Sequence, residues 1–184
     1  CMQEENQIAP ENATVAPYDK QNGFTLQPCV MGTTIDRDQF VAATDEAIEQ
    51  LQDSLSLEKA DVYVNPTVYD DDETLAAAIE TMNGYAGTTI NYQIGESTEV
   101  LDATIFGEWI SINKKGKPVI SKKKVEEYVA GLAKKYNTCY TAKKLKTSYG
   151  KTVTIARSCY GWKVDNDAET KEIIGEIKAG KPVT

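Results

Sequence analysis

The chain has 184 residues, room for one sizeable core, and its 28 acidic against 20 basic residues give a net charge of −8. That balance repels a phosphate backbone, so nucleic acid is not an expected partner, and no apolar run approaches the ~18 residues of a membrane span. Histidine is absent, which removes Cys-His and Ser-His catalysis and the usual zinc sites. The four cysteines, at 1, 29, 139 and 159, contain no C-x-x-C pair, and no dinucleotide or P-loop motif is present. Neither a metal nor a cofactor is expected, and disulfides or reduced buried thiols both suit the cysteine spacing.

The start, Cys1-Met2-Gln3, lacks a basic and apolar leader. It fits a lipidated mature chain or a piece excised from a longer one, and the second reading is preferred. Thr14 to Tyr18 and Phe24 to Gln27 flank Asn22-Gly23, a two-residue hairpin signal. Asp36 then caps a helix expected to run to about Leu55, with Val41, Thr44, Ile48, Leu51 and Leu55 on its core stripe and Phe40 and Ala47 beside it. Leu57 and Asp61 to Val64 alternate as a strand that Pro66 stops. Asp70-x-x-Glu73 reads as the capping box of a second helix carrying Leu75, Ala78, Ile79 and Met82, ending near Gly84. Capping also accounts for the acids at 70–72, because the glycine and distal glutamate of a calcium loop are missing.

Thr88 to Ile94 and Glu99 to Leu101 form a hairpin about Gly95-Glu96, and Asp102 leads a short helical segment to Trp109. Ile110 to Asn113 and Val119-Ile120 bracket a lysine-rich turn. Ser121 caps a third helix with Val125, Tyr128, Val129, Leu132 and Tyr136 on one stripe. The lysines at 114–117 and 122–124 read as a solvated turn and a solvated first helical turn.

Thr138 to Leu145 and Thr152 to Ser158 favour strands, and Gly150 supplies the positive φ of a tight turn. With a three-residue loop the partners sum to 298, which sets Cys139 opposite Cys159, within disulfide reach. A Tyr160-Gly161-Trp162 closes the hairpin. Asn166-x-x-Glu169 then boxes a last helix with Ile173, Ile174 and Ile177, stopped by Gly180 and Pro182. Strands that arrive as hairpins, interleaved with about four helices, point to an α+β fold with an antiparallel or mixed sheet.

Lys135-Tyr136-Asn137-Thr138, the basic step Lys143-Lys144-Leu145, Gly150 and Tyr160-Gly161-Trp162 together resemble the peptidoglycan-binding domain that precedes the catalytic domain of many Gram-positive L,D-transpeptidases. Two departures stand out: the family carries Arg and Phe in the basic-aromatic step, and the cysteine pair is not a family feature. The resemblance implies a leading arm over 1–13 that ends a preceding module, a single domain over 14–180, and the start of a linker to an absent catalytic domain over 181–184. It also implies a non-catalytic module that binds and positions peptidoglycan, glycan or stem peptide, in a protein that cross-links it. That parent would use a catalytic cysteine for 3→3 cross-links, would be compatible with a membrane anchor, and would act extracytoplasmically, in the wall or on the surface of a Gram-positive bacterium. The alternative is a structural spacer or protein-interaction domain with no glycan site.

A glycan–peptide polymer needs aromatic faces for sugar rings and cations for carboxylates. Tyr136, Tyr140, Tyr160 and Trp162 gather about the central hairpin, with Tyr92 and Trp109 on neighbouring strands, and Lys143, Lys144 and Arg157 supply charge. The same aromatics also suit the core of a helix–hairpin junction. No two of the acids are singled out as a glycosidase pair.

Overall fold

Neighbours in sequence become partners in space. In the computed structural model, which describes residues 7–156 and 161–184, four antiparallel two-stranded ladders are interspersed with five α-helices, an α+β architecture. Among the described residues the hairpins stay separate two-stranded ladders and do not merge into one sheet. The chain divides into two compact units, one holding residues up to Pro17 and Phe24–Ile79, the other Tyr18–Gly23 and Glu80–Thr184.

In the first unit β1 (Thr14–Val15) pairs with β2 (Leu26–Gln27), Thr14 opposite Gln27. The Asn12 side chain accepts from the amides of Thr67 and Val68 at 2.7 and 3.2 Å, pinning a loop that would otherwise leave those donors unpaired. α1 (Arg37–Glu49) starts where expected, with the Asp36 carboxylate accepting from the amides of Asp38 and Gln39. It ends six residues earlier than the apolar pattern predicts. Leu51 takes a left-handed φ of 52°, which a helix cannot continue through.

The inward face of α1 is also displaced from the expected one. Phe40, Ala43, Thr44 and Ala47 turn inward, whereas Val41, Ile48 and Leu51 are 49%, 66% and 88% exposed. Of the four inward residues, Thr44 lies on the expected stripe, Phe40 and Ala47 beside it, and Ala43 alone was not expected to face inward. The strand expected about Asp61 to Val64 is reduced to one bridge, Ile35 with Tyr63, although Val62 is fully buried. α2 (Glu73–Ala86) runs two residues past Gly84. Its first-turn amide at Leu75 is capped by Asp72 at 2.8 Å, while Asp70 accepts instead from the amide of Cys29 at 2.7 Å.

The second unit carries the larger core. β3 (Thr89–Ile94) and β4 (Ser97–Asp102) form the expected hairpin, and Asp102 caps α3 (Ala103–Phe106), followed by a 3-10 turn through Trp109. β5 (Ile110–Ile112) pairs with β6 (Pro118–Ile120). α4 (Lys122–Tyr136) packs against α5 (Asn166–Ala179). Leu101, Phe106, Val125, Val129 and Ile177 are wholly buried there, each contributing roughly 1.5–3 kcal/mol.

Ser121 sits at the start of α4, but its side chain makes no capping bond. The cap of α5 falls one residue before the expected Asn166, on Asp165, and Gly180 closes that helix in the left-handed conformation. Past it the chain turns back to β3. The Val183 amide donates to the Thr89 carbonyl, and the Val183 carbonyl accepts from the Asn91 amide, both at 2.9 Å.

Candidate functional site

The last hairpin keeps the expected register over a shorter span. β7 (Lys143–Lys146) pairs with β8 (Thr152–Ile155), Lys143 opposite Ile155 and Lys146 opposite Thr152. The loop closes as the sequence demands: Thr147 donates to the Lys151 carbonyl at 2.8 Å, Gly150 donates to Thr147 at 2.9 Å, and Gly150 has φ 76°. The strand expected from Thr138 begins only at Lys143. Cys139 and Tyr140 form a turn, with Tyr140 at φ 62°, so Cys139 is not on the ladder. Cys159, Tyr160 and Arg157 lie outside the described residues, and the expected Cys139–Cys159 pair with them.

The helix exit and the Gly161-Trp162 segment are tied together by the side chains of the Lys-Tyr-Asn-Thr motif. Thr138 and Cys139 donate their amides to the Trp162 carbonyl at 3.0 and 3.2 Å. The Trp162 amide in turn donates to Thr138 Oγ1 at 3.0 Å, and the Val164 amide to Asn137 Oδ1 at 2.8 Å. Asn and Thr are needed here because each supplies a side-chain acceptor to a strand-like segment that has no ladder partner. Gly161, at φ 145°, lies so close to Thr138 that a Cβ would meet its carbonyl carbon and Oγ1 at 2.7 Å. The result is an indole held by its backbone and left half exposed, at 50%.

The predicted site residues therefore separate. Trp162 and Tyr140, the latter 65% exposed, are presented to solvent on segments joined by these bonds, and Lys144 is exposed on β7. Trp109 is buried, its ring 5.4 Å from Tyr128 and 6.3 Å from Phe106, and it packs the core. Tyr136 is half-buried and donates to the Glu99 carboxylate, which also accepts from Lys135 Nζ. Those two donors, Lys135 foremost, hold the Glu99 carboxyl below its ordinary range, and Lys135 is pushed up to about 12, chiefly by its hydrogen bond to Glu99. Tyr92 lies beside a cavity of about 230 Å³ lined also by Glu169, Glu172 and Glu176. Its phenol donates to Glu169 at 2.6 Å, and burial, then that bond, raises its pKa.

Sequence reasoning missed Lys146, Lys151 and Tyr149. All three are exposed, and Tyr149 stands at the hairpin tip with 92% of its surface free. The signal that would have found them is one of sign: between Glu127 and Asp165 the sequence holds seven lysines and one arginine and no acid.

Residues 71–184 match the profile of a family described as a "putative peptidoglycan binding domain". The chain belongs to this family of cell-wall binding modules, which implies a place in the cell wall or otherwise outside the cytoplasm. Two solved structures resemble it, both of L,D-transpeptidases. One, titled "Structure of the Ldtfm-avibactam carbamoyl enzyme", is 29% identical with a TM-score of 0.50, over 60% of this chain and 43% of that one. The other, a Cys-to-Ser variant of the Enterococcus faecium L,D-transpeptidase, is 30% identical with a TM-score of 0.48, over 61% of this chain and 44% of that one. The chain thus matches less than half the length of either. No curated protein sequence matches it. No helix among the described residues is long and apolar enough to cross a membrane.

Proposed function

We propose that this chain is the non-catalytic, wall-holding part of an L,D-transpeptidase-type protein of a Gram-positive bacterium. In this reading it keeps a catalytic domain beside its peptidoglycan substrate. Trp162 and Tyr140 offer faces for sugar rings, with positive charge beside them on Lys144. The observation that carries the reading is the half-exposed Trp162 indole, held by Thr138 and Asn137 in a segment whose glycine leaves no room for a side chain. A large apolar ring fixed by its backbone and left in solvent is the form of a contact surface.

The test is co-sedimentation of the purified chain with peptidoglycan sacculi. Retention that drops at least about tenfold, ~1.4 kcal/mol, in Trp162→Ala, with an unchanged circular dichroism spectrum, supports the reading. A folded wild-type chain that stays in the supernatant favours the spacer alternative. Release of soluble fragments from sacculi by the chain alone would contradict a non-catalytic role.

A further inference from the structure

Among the described residues three lysines are held in ion pairs. Lys122 and Lys123 on α4 pair with Glu126 and Glu127 one turn on, and Lys135 pairs with Glu99. Among the described residues Lys144, Lys146 and Lys151 of the β7–β8 ribbon make no ion pair. Alternation along a strand puts Lys144 and Lys146 on one face, ~7 Å apart, and the register sets Thr154 and Thr152 opposite them. Stable hairpins commonly place opposite charges across such pairs. Here the cross-strand partners are hydroxyls, which leave the cations uncompensated and can donate to an oxyanion lying over them.

The wider charge distribution points the same way. The stretch between Glu127 and Asp165 holds eight cations and no acid, leaving 12 cations against all 28 acids in the rest of the chain, a charge of −16. An acidic polymer is repelled by most of this surface and attracted by the ribbon. The fixed negative charges that peptidoglycan offers are the carboxylates of its peptides. We infer that the β7–β8 ribbon recognises the free carboxylates of peptidoglycan stem peptides, with Lys144 and Lys146 as the principal cations. The inference rests on the wall-binding reading above and names the chemical group that the ribbon takes.

The experiment uses the purified chain and sacculi in three forms: untreated, stripped of phosphodiester polymers, and stripped with the carboxylates amidated by carbodiimide and ammonia. The variants are the double substitution Lys144→Glu/Lys146→Glu and, matched for net charge, Lys122→Glu/Lys123→Glu on α4. Stripped sacculi should bind as well as untreated ones, binding should weaken steadily with sodium chloride, and amidation should reduce it ~10-fold or more. The ribbon variant should reproduce that loss on unmodified sacculi, and the α4 variant should not. Equal binding to amidated sacculi, equal effects of the two variants, or loss of binding on removing the phosphodiester polymers alone would each overturn the inference while wall binding stood. No retention of the wild-type chain on any form would instead remove the wall-binding reading, and the inference with it.

Discussion

At the scale of single residues, Gly161 and Glu99 carry the sharpest consequences. A Cβ at Gly161 would press on the Thr138 backbone while φ stays at 145°, so Gly161→Ala should cost about 2 kcal/mol or more and lower the melting temperature by roughly 4–8 °C. Glu99 and Lys135 set a pH window. A carboxyl held below its unfolded value of 4.5 gives stability that is present above that value and lost as the pH falls through the folded one. An ammonium raised from 10.5 to about 12 gives stability that is present below 10.5 and lost as the pH climbs toward 12. Tyr92 adds to the alkaline limb, since its raised pKa keeps a proton in the fold that the unfolded chain releases above about 10. Melts recorded across pH should show a plateau that falls at both ends. Glu99→Gln should flatten the acid limb and only shallow the alkaline one, and an unchanged acid limb would remove Glu99 from the account.

At the scale of elements, the hairpins were the most legible part of the chain and α1 the least. Gly150 and the flanking strand-formers fix a three-residue loop, and the register over Lys143 to Ile155 follows from that turn alone. The strand's start was not legible, because Asn137 and Thr138 spend their side chains on the Trp162 segment and turn the chain before a ladder can form. In α1 the periodicity of Val41, Ile48 and Leu51 misled. A second stripe one position away, Phe40, Ala43, Thr44 and Ala47, is the one that faces inward, and periodicity alone does not choose between two stripes that overlap at Thr44. Ile48→Gln checks this, and two more substitutions weigh the cap of α1 and the core beneath α5. Ile48→Gln should change stability by no more than ~0.5 kcal/mol, Asp36→Ala should cost about 1 kcal/mol, and Ile177→Ala in α5 about 2–5 kcal/mol, each read from denaturant midpoints. Among the candidate site residues, Trp162 and Lys144 are exposed, and the motif singled them out, but the separation of Trp109 and Tyr136 from them was not legible. That separation depends on tertiary partners, the Tyr128 ring packed against Trp109 for one and the Glu99 carboxylate that accepts from the Tyr136 hydroxyl for the other.

At the scale of the whole molecule, net charge and local charge oppose each other. With a sequence pI near 4.7, the chain should flow through a sulfonate resin at neutral pH if only its total charge mattered. A basic segment free of acids predicts retardation at low ionic strength, and Lys144→Glu/Lys146→Glu should abolish it; elution of the wild-type chain in the void volume would show the segment to be screened. The return of the chain to β3 carries a mechanical consequence. Val183 is held to Thr89 and Asn91 by two backbone bonds that lie across a parallel pairing. Tension applied at Thr184 and directed along β3 therefore loads both bonds together in shear, and α5 cannot peel away until the pair gives.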